Sequence, residues 1–465
     1  MAKFYINDDW KFSEKFDEVI LGENSMDYVS KMVDVRIPHT VKETPFNYFD
    51  EHIYQMISAY RRVISAPKDW EGKSVILTFD AVGHVASVFL NGEQIGKNDC
   101  GYTAFSIDIS DKLNFGEDNI LVVKCDSRED VNVPPFGFVI DYMTYGGIYR
   151  DVYIDVREKT HIKNLFLYTR LANKYTDFDS GYEYCDRSRV CSRLRIEGDT
   201  EGLIVRQSLK KLGNLSKGEA PIDSDYKVIL ETELTSENNK TEIKLEAHSR
   251  CVELWDVDNP VLYSVKTEII KDGEVLDNNE TNIGYRKAVF KKTGFYLNGN
   301  KLKLRGLNRH QSYPYVGYAM PDSMQRNDAR ILKCELGLNA VRTSHYPQSQ
   351  SFIDECDRLG LLVFTEIPGW QHIGDKAWKK VAVKNVRRMV VQYRNHPSII
   401  LWGVRINESI DDDELYMMTN KLARALDSTR QTGGVRYLKK SSFLEDVYTY
   451  NDFSHTGGNR GCEKK

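Results

Sequence analysis

The segments Leu361-Leu362-Val363-Phe364-Thr365-Glu366 and Ser398-Ile399-Ile400-Leu401-Trp402-Gly403, with a helical stretch from about Lys376 to Arg394 between them, decide the architecture of the C-terminal part of this chain. Each is a short, continuous apolar run of the kind buried on both faces of a parallel sheet. The same rhythm extends outward from them. Upstream, Leu302-Lys303-Leu304-Arg305-Gly306-Leu307 and Asn339-Ala340-Val341-Arg342 read as strands. Asp322 caps a helix that ends near Leu336-Gly337, and a second helix from Ser351 to Leu359 stops at Gly360. Downstream, a helix over about Asp413 to Leu426 precedes the strand-like Thr432-Gly433-Gly434-Val435-Arg436 and Val447-Tyr448-Thr449-Tyr450-Asn451. Strands alternating with helices form a parallel sheet, either doubly wound or closed into a (β/α)8 barrel. Polar and ionisable residues gather just past the strand ends, where either fold builds its site.

The preceding 290 residues have a different pattern. Val75 to Phe79, Val85 to Leu90, Ile120 to Cys125 and Tyr149 to Val156 read as strands, and Asn91-Gly92 is a strong type I′ hairpin signal because both central positions need φ > 0. These predict a β-sandwich over 1–158. Leu165 to Tyr168, Leu203 to Val205, Val228 to Leu230 and Tyr263 to Ile269 predict a second, immunoglobulin-like sandwich over 159–290, larger than the ~100 residues usual for that fold. The polar stretch from Lys210 to Asp225 reads as a surface loop or insertion.

Totals narrow the function classes. The 465 residues are 41% hydrophobic and 28% charged, the make-up of a chain with real cores and not of a disordered one. Sixty-four Lys and Arg against 68 Asp and Glu give a net charge of −4, which argues against nucleic acid or an anionic membrane as the main partner. No run approaches the ~18 apolar residues of a membrane span. The opening Met1 to Asp9 reaches acid before an apolar run can form, so a cytoplasmic protein is expected. The eight cysteines are scattered, without CxxC or zinc-finger spacing, and are expected to be reduced.

The motifs carry a resemblance along essentially the whole chain. Arg36-Ile37-Pro38-His39-Thr40, Tyr60-Arg61-Arg62, Leu90-Asn91-Gly92, Gly101-Tyr102-Thr103-Ala104-Phe105 and Gly147-Ile148-Tyr149-Arg150-Asp151-Val152 come first. Trp255-Asp256-Val257-Asp258-Asn259-Pro260-Val261-Leu262-Tyr263 and Gly284-Tyr285-Arg286 close the middle part. Arg305 to His310, Asn339 to Pro347, Cys356 to Leu361 and Asn395-His396-Pro397-Ser398-Ile399 follow. In this order they resemble glycoside hydrolase family 2, the β-galactosidases and β-glucuronidases. The resemblance implies a multidomain β plus α/β chain: a sugar-binding jelly roll (1–158), an immunoglobulin-like sandwich (159–290) and an incomplete TIM barrel of about six strands (291–465).

It also implies a site. Family members of this kind hydrolyse β-glycosides with retention, through two carboxyl groups ~5–5.5 Å apart. Asn407-Glu408 matches the family's Asn-Glu pair, which makes Glu408 the acid/base and Asn407 the partner of the sugar 2-hydroxyl. Trp402 to Glu408 is six steps where the family pattern has five, which implies either a bulge at the strand end that absorbs the extra residue or a slightly displaced carboxyl. His345 is implied to bind sugar. Asp141, six residues before Gly147, occupies the position from which the jelly roll reaches the barrel mouth, and a carboxylate there can accept two hydroxyl hydrogen bonds. Arg342 lines the barrel, in a direct role or in a structural ion pair. Trp370 either stacks on a sugar ring or packs in the core. His372 lies six residues after Glu366, as in the metal-binding segment of many β-galactosidases, but Trp370 stands where a metal-ligating Glu would be. Substrate binding is therefore assigned to Asp141, His345, Asn407, Trp370 and His372, with no metal ligand named and a divalent or monovalent cation left open.

The nucleophile should be a second Glu after barrel strand seven, and none of Glu414, Glu445 or Glu463 fits it. From 291 to 465 there are 175 residues, against ~250 for a complete barrel. The expectation is a β-galactoside hydrolase lineage whose chain is inactive or nearly so alone. β-Glucuronide hydrolysis, a carbohydrate-binding pseudoenzyme and half of a split enzyme are the alternatives. The implied partners are a β-linked glycoside or oligosaccharide and either a second copy of the chain or a complementing C-terminal chain.

Overall fold

The computed structural model describes residues 2–22, 25–46, 50–137, 140–176, 183–217, 225–234, 242–438 and 440–452. Glu463, Cys462 and part of the polar stretch after Lys210 (218–224) lie outside the described residues.

The jelly roll packs two antiparallel sheets face to face. One runs Ala2–Tyr5, Val152–Arg157, Ser74–Phe79, Phe105–Asp108; the other runs Val33–Val35, Trp10–Ser13, Ile57–Ser65, Asp118–Asp126, Val85–Leu90, Glu93–Asn98. Alternating inward residues of both, such as Val75, Leu77 and Ile154 against Val88, Leu121 and Val123, form one core. Asn91 and Gly92 make the expected turn, with φ of +50° and +85°, and pair Leu90 with Glu93.

Among the described residues the second sandwich has seven strands. His161–Thr176, Glu183–Glu197 and Ile243–Glu253 form one sheet; Lys227–Glu233, Ile204–Gly213, Leu262–Lys271 and Glu274–Ile283 form the other. Its size is explained in part by an extended hairpin whose two strands run 16 and 15 residues. Lys210 to Gly213 belong to a strand, not to the expected loop.

The parallel sheet runs in chain order: Gly306–Arg309, Ala340–Thr343, Leu362–Glu366, Ile399–Gly403, Gln431–Gly433. Beyond Gly434, Val435–Arg436 pairs in parallel with Thr449–Tyr450, so the fifth strand continues with a break and a sixth follows it. The expected strand from Leu302 to Leu307 divides. Asn300–Leu302 closes an antiparallel sheet with Ala288–Lys291 and Gly294–Leu297, and the parallel strand starts only at Gly306. Phe295 and Leu297 of that small sheet share an apolar cluster with Leu362, Ile400 and Leu401, which covers the end of the barrel opposite the site.

The α-helices between the described barrel strands are Asp322–Arg330, continued by a π-helical turn over Ile331–Glu335, Gln350–Leu359, Lys376–Tyr393 and Asp413–Leu426. Asp322 lies in the first turn and Pro321 is the N-cap, so the expected cap is displaced by one residue. Gly360 ends its helix at φ +72°, and a Cβ there would come within 2.6 Å of the Val257 carbonyl oxygen, so this position needs glycine for both conformation and domain contact.

Hydrogen bonds join the three parts. Trp378 Nε1 donates to Phe136 O (3.0 Å), Arg150 Nη2 to Gln311 Oε1 (2.8 Å), Trp255 Nε1 to Asp357 O (2.8 Å) and Arg286 Nη2 to Ile399 O (2.6 Å). Among the described residues, no helix is long and apolar enough to cross a membrane.

One buried carboxylate fastens the fourth strand to the fifth. Asp427, with 0% exposure, accepts from Trp402 Nε1 (3.0 Å), Arg430 Nη1 (2.7 Å) and Thr429 N (2.8 Å). Burial alone would raise this carboxyl, but Arg430 and the Thr429 hydrogen bonds hold it below the ordinary aspartate range. Its stabilisation is complete above the unfolded aspartate value of ~3.9 and is lost as pH falls toward the lower folded value. Asp427→Ala leaves the Arg430 charge and the Trp402 N–H buried without their partner. It is expected to cost ~3–5 kcal/mol in urea unfolding at pH 7, with a smaller difference from the parent in acid.

Candidate functional site

Residues from three consecutive strands and from the jelly roll converge at the C-terminal ends of the barrel strands. Glu366 closes the third strand and is buried. It accepts from Arg342 Nε (3.0 Å) and Nη2 (2.9 Å) on the second strand and lies 2.6 Å from His345 Nδ1. Burial opposes its charge, yet Arg342 and His345 together hold the carboxyl below its usual value. Arg342 Nη2 also donates to Asn407 Oδ1 at 2.7 Å. Arg342 therefore has the structural ion pair, and the same guanidinium orients Asn407.

Glu408 follows Asn407 in a left-handed conformation (φ +55°), half-buried, with its N–H donating to Val435 O at 2.9 Å. Its carboxylate accepts from Gln371 Nε2 (3.2 Å) and from the Asn451 amide beside the sixth strand. The ladder between the third and fourth strands has one irregularity, where Val363 pairs with Ile399 and Phe364 with Leu401. It lies upstream of Trp402, outside the interval from Trp402 to Glu408, and so does not take up the extra residue there.

Asp141 reaches this group from the jelly roll. It is exposed, and its carboxyl is pushed up by partial burial and by Glu408, against the pull of His345 and Arg342, which puts all three within electrostatic range of it. Tyr142 beside it lies 5.7 Å from the His345 ring and 5.1 Å from the His310 ring. Tyr102, from the Gly101 to Phe105 motif, stacks on Tyr346 at 4.4 Å and 13°. Aromatic side chains thus seat the jelly roll on the barrel mouth.

Trp370 is half-buried and forms a parallel bridge with Asn407, Gln371 N donating to Asn407 O at 2.7 Å. Its indole N–H is buried and meets no acceptor among the described residues. His372 stands apart from the others. It packs against Gly137 and edge-on to Trp378 at 5.7 Å, its Nε2 is buried without a partner among the described residues, and burial pushes its pKa down. The geometry therefore brings together Asp141, His345, Asn407, Glu408 and Trp370, and puts His372 on the seam with the jelly roll.

Glu366, Gln371, Asn451 and Tyr142 were not legible as site residues. The position of Glu366 at a strand end was the available signal. The other three are brought in by loops and by the jelly roll. Of the carboxylates considered for the second catalytic role, Glu445 is buried in an ion pair with Arg436, and Glu414 lies in the first turn of its helix. Asp354, Asp357 and His396 are grouped closely enough to hold a cation. However, Asp357 is used by His396 Nδ1 (2.5 Å) and Ser398 N (2.8 Å), and Gln350 Nε2 meets His396 Nε2, so the group reads as a structural ion pair.

Comparison with known proteins agrees with this architecture. In chain order, residues 26–157 match the glycosyl hydrolases family 2 sugar binding domain, 160–286 a further model described as glycosyl hydrolases family 2, and 288–456 the glycosyl hydrolases family 2 TIM barrel domain. The β-galactosidase of Thermoanaerobacterium thermosulfurigenes is 45% identical over 99% of this chain and 62% of its own length. That of Thermoanaerobacter pseudethanolicus is 42% identical over 97% of the chain and 56% of its own length. The crystal structure of Bacteroides uniformis β-glucuronidase superposes with a TM-score of 0.79 at 26% identity, covering 97% of this chain and 55% of that one. The chain thus spans little more than half the length of these relatives. With all three parts matched in order, the chain belongs to glycosyl hydrolases family 2.

Proposed function

We propose that this chain carries the acid/base half of a retaining β-glycosidase site, in three units divided at about 158 and 290, and that its glycone is a β-galactoside. The observation that supports this most is the convergence of Glu408, Asn407 and His345 with Asp141, which arrives from a different domain. In this reading Glu408 protonates the departing glycosidic oxygen and later takes a proton from the attacking water. Asn407, held by Arg342, hydrogen-bonds the sugar 2-hydroxyl. Asp141 accepts from further hydroxyls, and Trp370 offers its ring to an apolar sugar face. His345 is fixed by Glu366 on one ring nitrogen, which leaves the other for a hydroxyl.

Retention needs a second carboxyl ~5–5.5 Å from the first. Glu366 is committed to Arg342 and His345, and Glu445 to Arg436. We assign the nucleophile to the part of the barrel that the longer relatives have beyond this span, joined to this chain or supplied by a complementing one. The β-galactoside is supported by two relatives above 40% identity that are named β-galactosidase. A β-glucuronide is the second reading, from relatives of that name at 28% identity. The seven described cysteines form no disulfide with one another, and five of them are buried, which supports the cytoplasm as the location.

Nitrophenyl β-galactoside and β-glucuronide assays on the purified chain, alone and extended by the remaining barrel segment of a relative, test this. Turnover of the galactoside is expected only after extension. Substantial turnover by the chain alone, lost in Glu408→Gln, overturns the assignment of the nucleophile. In the extended protein, Glu408→Gln is expected to lower kcat by ~10²–10⁴ on substrates with poor leaving groups. Glu366→Gln should lower activity and destabilise the fold together, because it uncouples Arg342 from Asn407.

A further inference from the structure

The immunoglobulin-like domain has an unusual charge pattern on one sheet face. Along the central strand Glu183–Glu197 of its three-stranded sheet, arginines recur with the strand period at 187, 189, 193 and 195. The ladder sets positive charges opposite one another: Arg170 pairs with Arg189, Arg189 with His248, and Arg187 with Arg250. Like charges directly across a ladder are unfavourable, so an arrangement of this kind suits a ligand that neutralises them. Arg170, Arg187, Arg189, His248 and Arg250 line a groove of about 500 Å³, among whose lining residues there is no carboxylate. Glu246 beside the groove is shared between Arg170 (3.1 Å) and Arg189 (2.8 Å) and offsets one charge of the set.

The groove does not stop at the sandwich. Arg170 and Leu171 also line a second cavity of about 440 Å³, bounded on the barrel side by Arg286, Lys287 and Arg394, and by Arg430, whose charge is met by Asp427 at 2.7 Å. Burial and the nearby Arg430 push Arg286 down to about 9, and burial pushes Arg394 down to about 10. The track therefore runs from the outer sheet face to the end of the barrel opposite Glu408, in a chain whose net charge is −4. A single small anion would meet only part of it.

We propose that this track binds an acidic polysaccharide, a glycan carrying carboxylate or sulfate groups at intervals along its chain, and so holds the protein on a polymeric substrate away from the catalytic mouth. The choice of a glycan over other polyanions rests on the glycosidase reading. Binding itself requires no turnover, so its failure leaves that reading untouched.

Affinity electrophoresis of the 465-residue chain in gels containing polygalacturonate, dextran sulfate or neutral dextran tests the proposal. Retardation is expected with one or both acidic polymers, not with dextran, and it should weaken with added salt. Comparing the two acidic polymers separates carboxylate from sulfate recognition. The double variant Arg187→Glu, Arg250→Glu is expected to weaken binding at least tenfold with an unchanged circular dichroism spectrum. Arg170→Lys with Arg189→Ser provides a second, milder probe if the first does not fold. The proposal is overturned if neither acidic polymer retards the protein or if both variants bind as the parent does. It is equally overturned if Arg36→Glu, on the jelly roll, weakens binding as much, or if duplex DNA binds more tightly than either glycan.

Discussion

Glu366 is a carboxylate buried at the end of a barrel strand, and the mouth of the barrel is arranged around its neutralisation. An isolated charge in that position would cost several kcal/mol. Arg342 on the neighbouring strand meets it with two hydrogen bonds, and His345 adds a third contact. The same guanidinium then reaches Asn407, four residues past the end of the fourth strand. Three adjacent strands are thus held in register at their C-terminal ends by one ion pair, and the residues that point into the mouth inherit their orientation from it.

The jelly roll completes the mouth. Its Asp141 and Tyr142 reach His345 and His310, while Tyr102 stacks on Tyr346. Trp378 and Arg150 anchor the seam through hydrogen bonds across it. The immunoglobulin-like sandwich lies at the other end, where Trp255 and Arg286 bond to barrel backbone carbonyls. The two sandwiches therefore do different work: one contributes side chains to the site, and the other supports the barrel and carries the cationic track.

Parallel strands buried on both faces leave a strong mark in a sequence, because near-continuous apolar runs have few other uses. This is why the barrel strands, the hairpin at Asn91-Gly92 and the helix stop at Gly360 could be read within a residue or two. The misplaced strand has a tertiary cause. Leu302, Leu304 and Leu307 read as one strand, but the chain turns within the segment, since Leu302 is paired to Phe295 before the parallel ladder begins.

The sequence by itself determined the order of the three domains, the positions of the barrel strands and the identity of Asn407-Glu408, because each depends on local periodicity or on contiguous motifs. The tertiary structure decided what distant residues do for one another. Glu366 became the counter-charge of Arg342, Gln371 and Asn451 became donors to Glu408, and His372 was drawn to the domain seam against Gly137. These relations connect residues up to 235 positions apart, and a linear pattern does not encode which of two exposed or buried polar groups will meet when strands and domains close on one another.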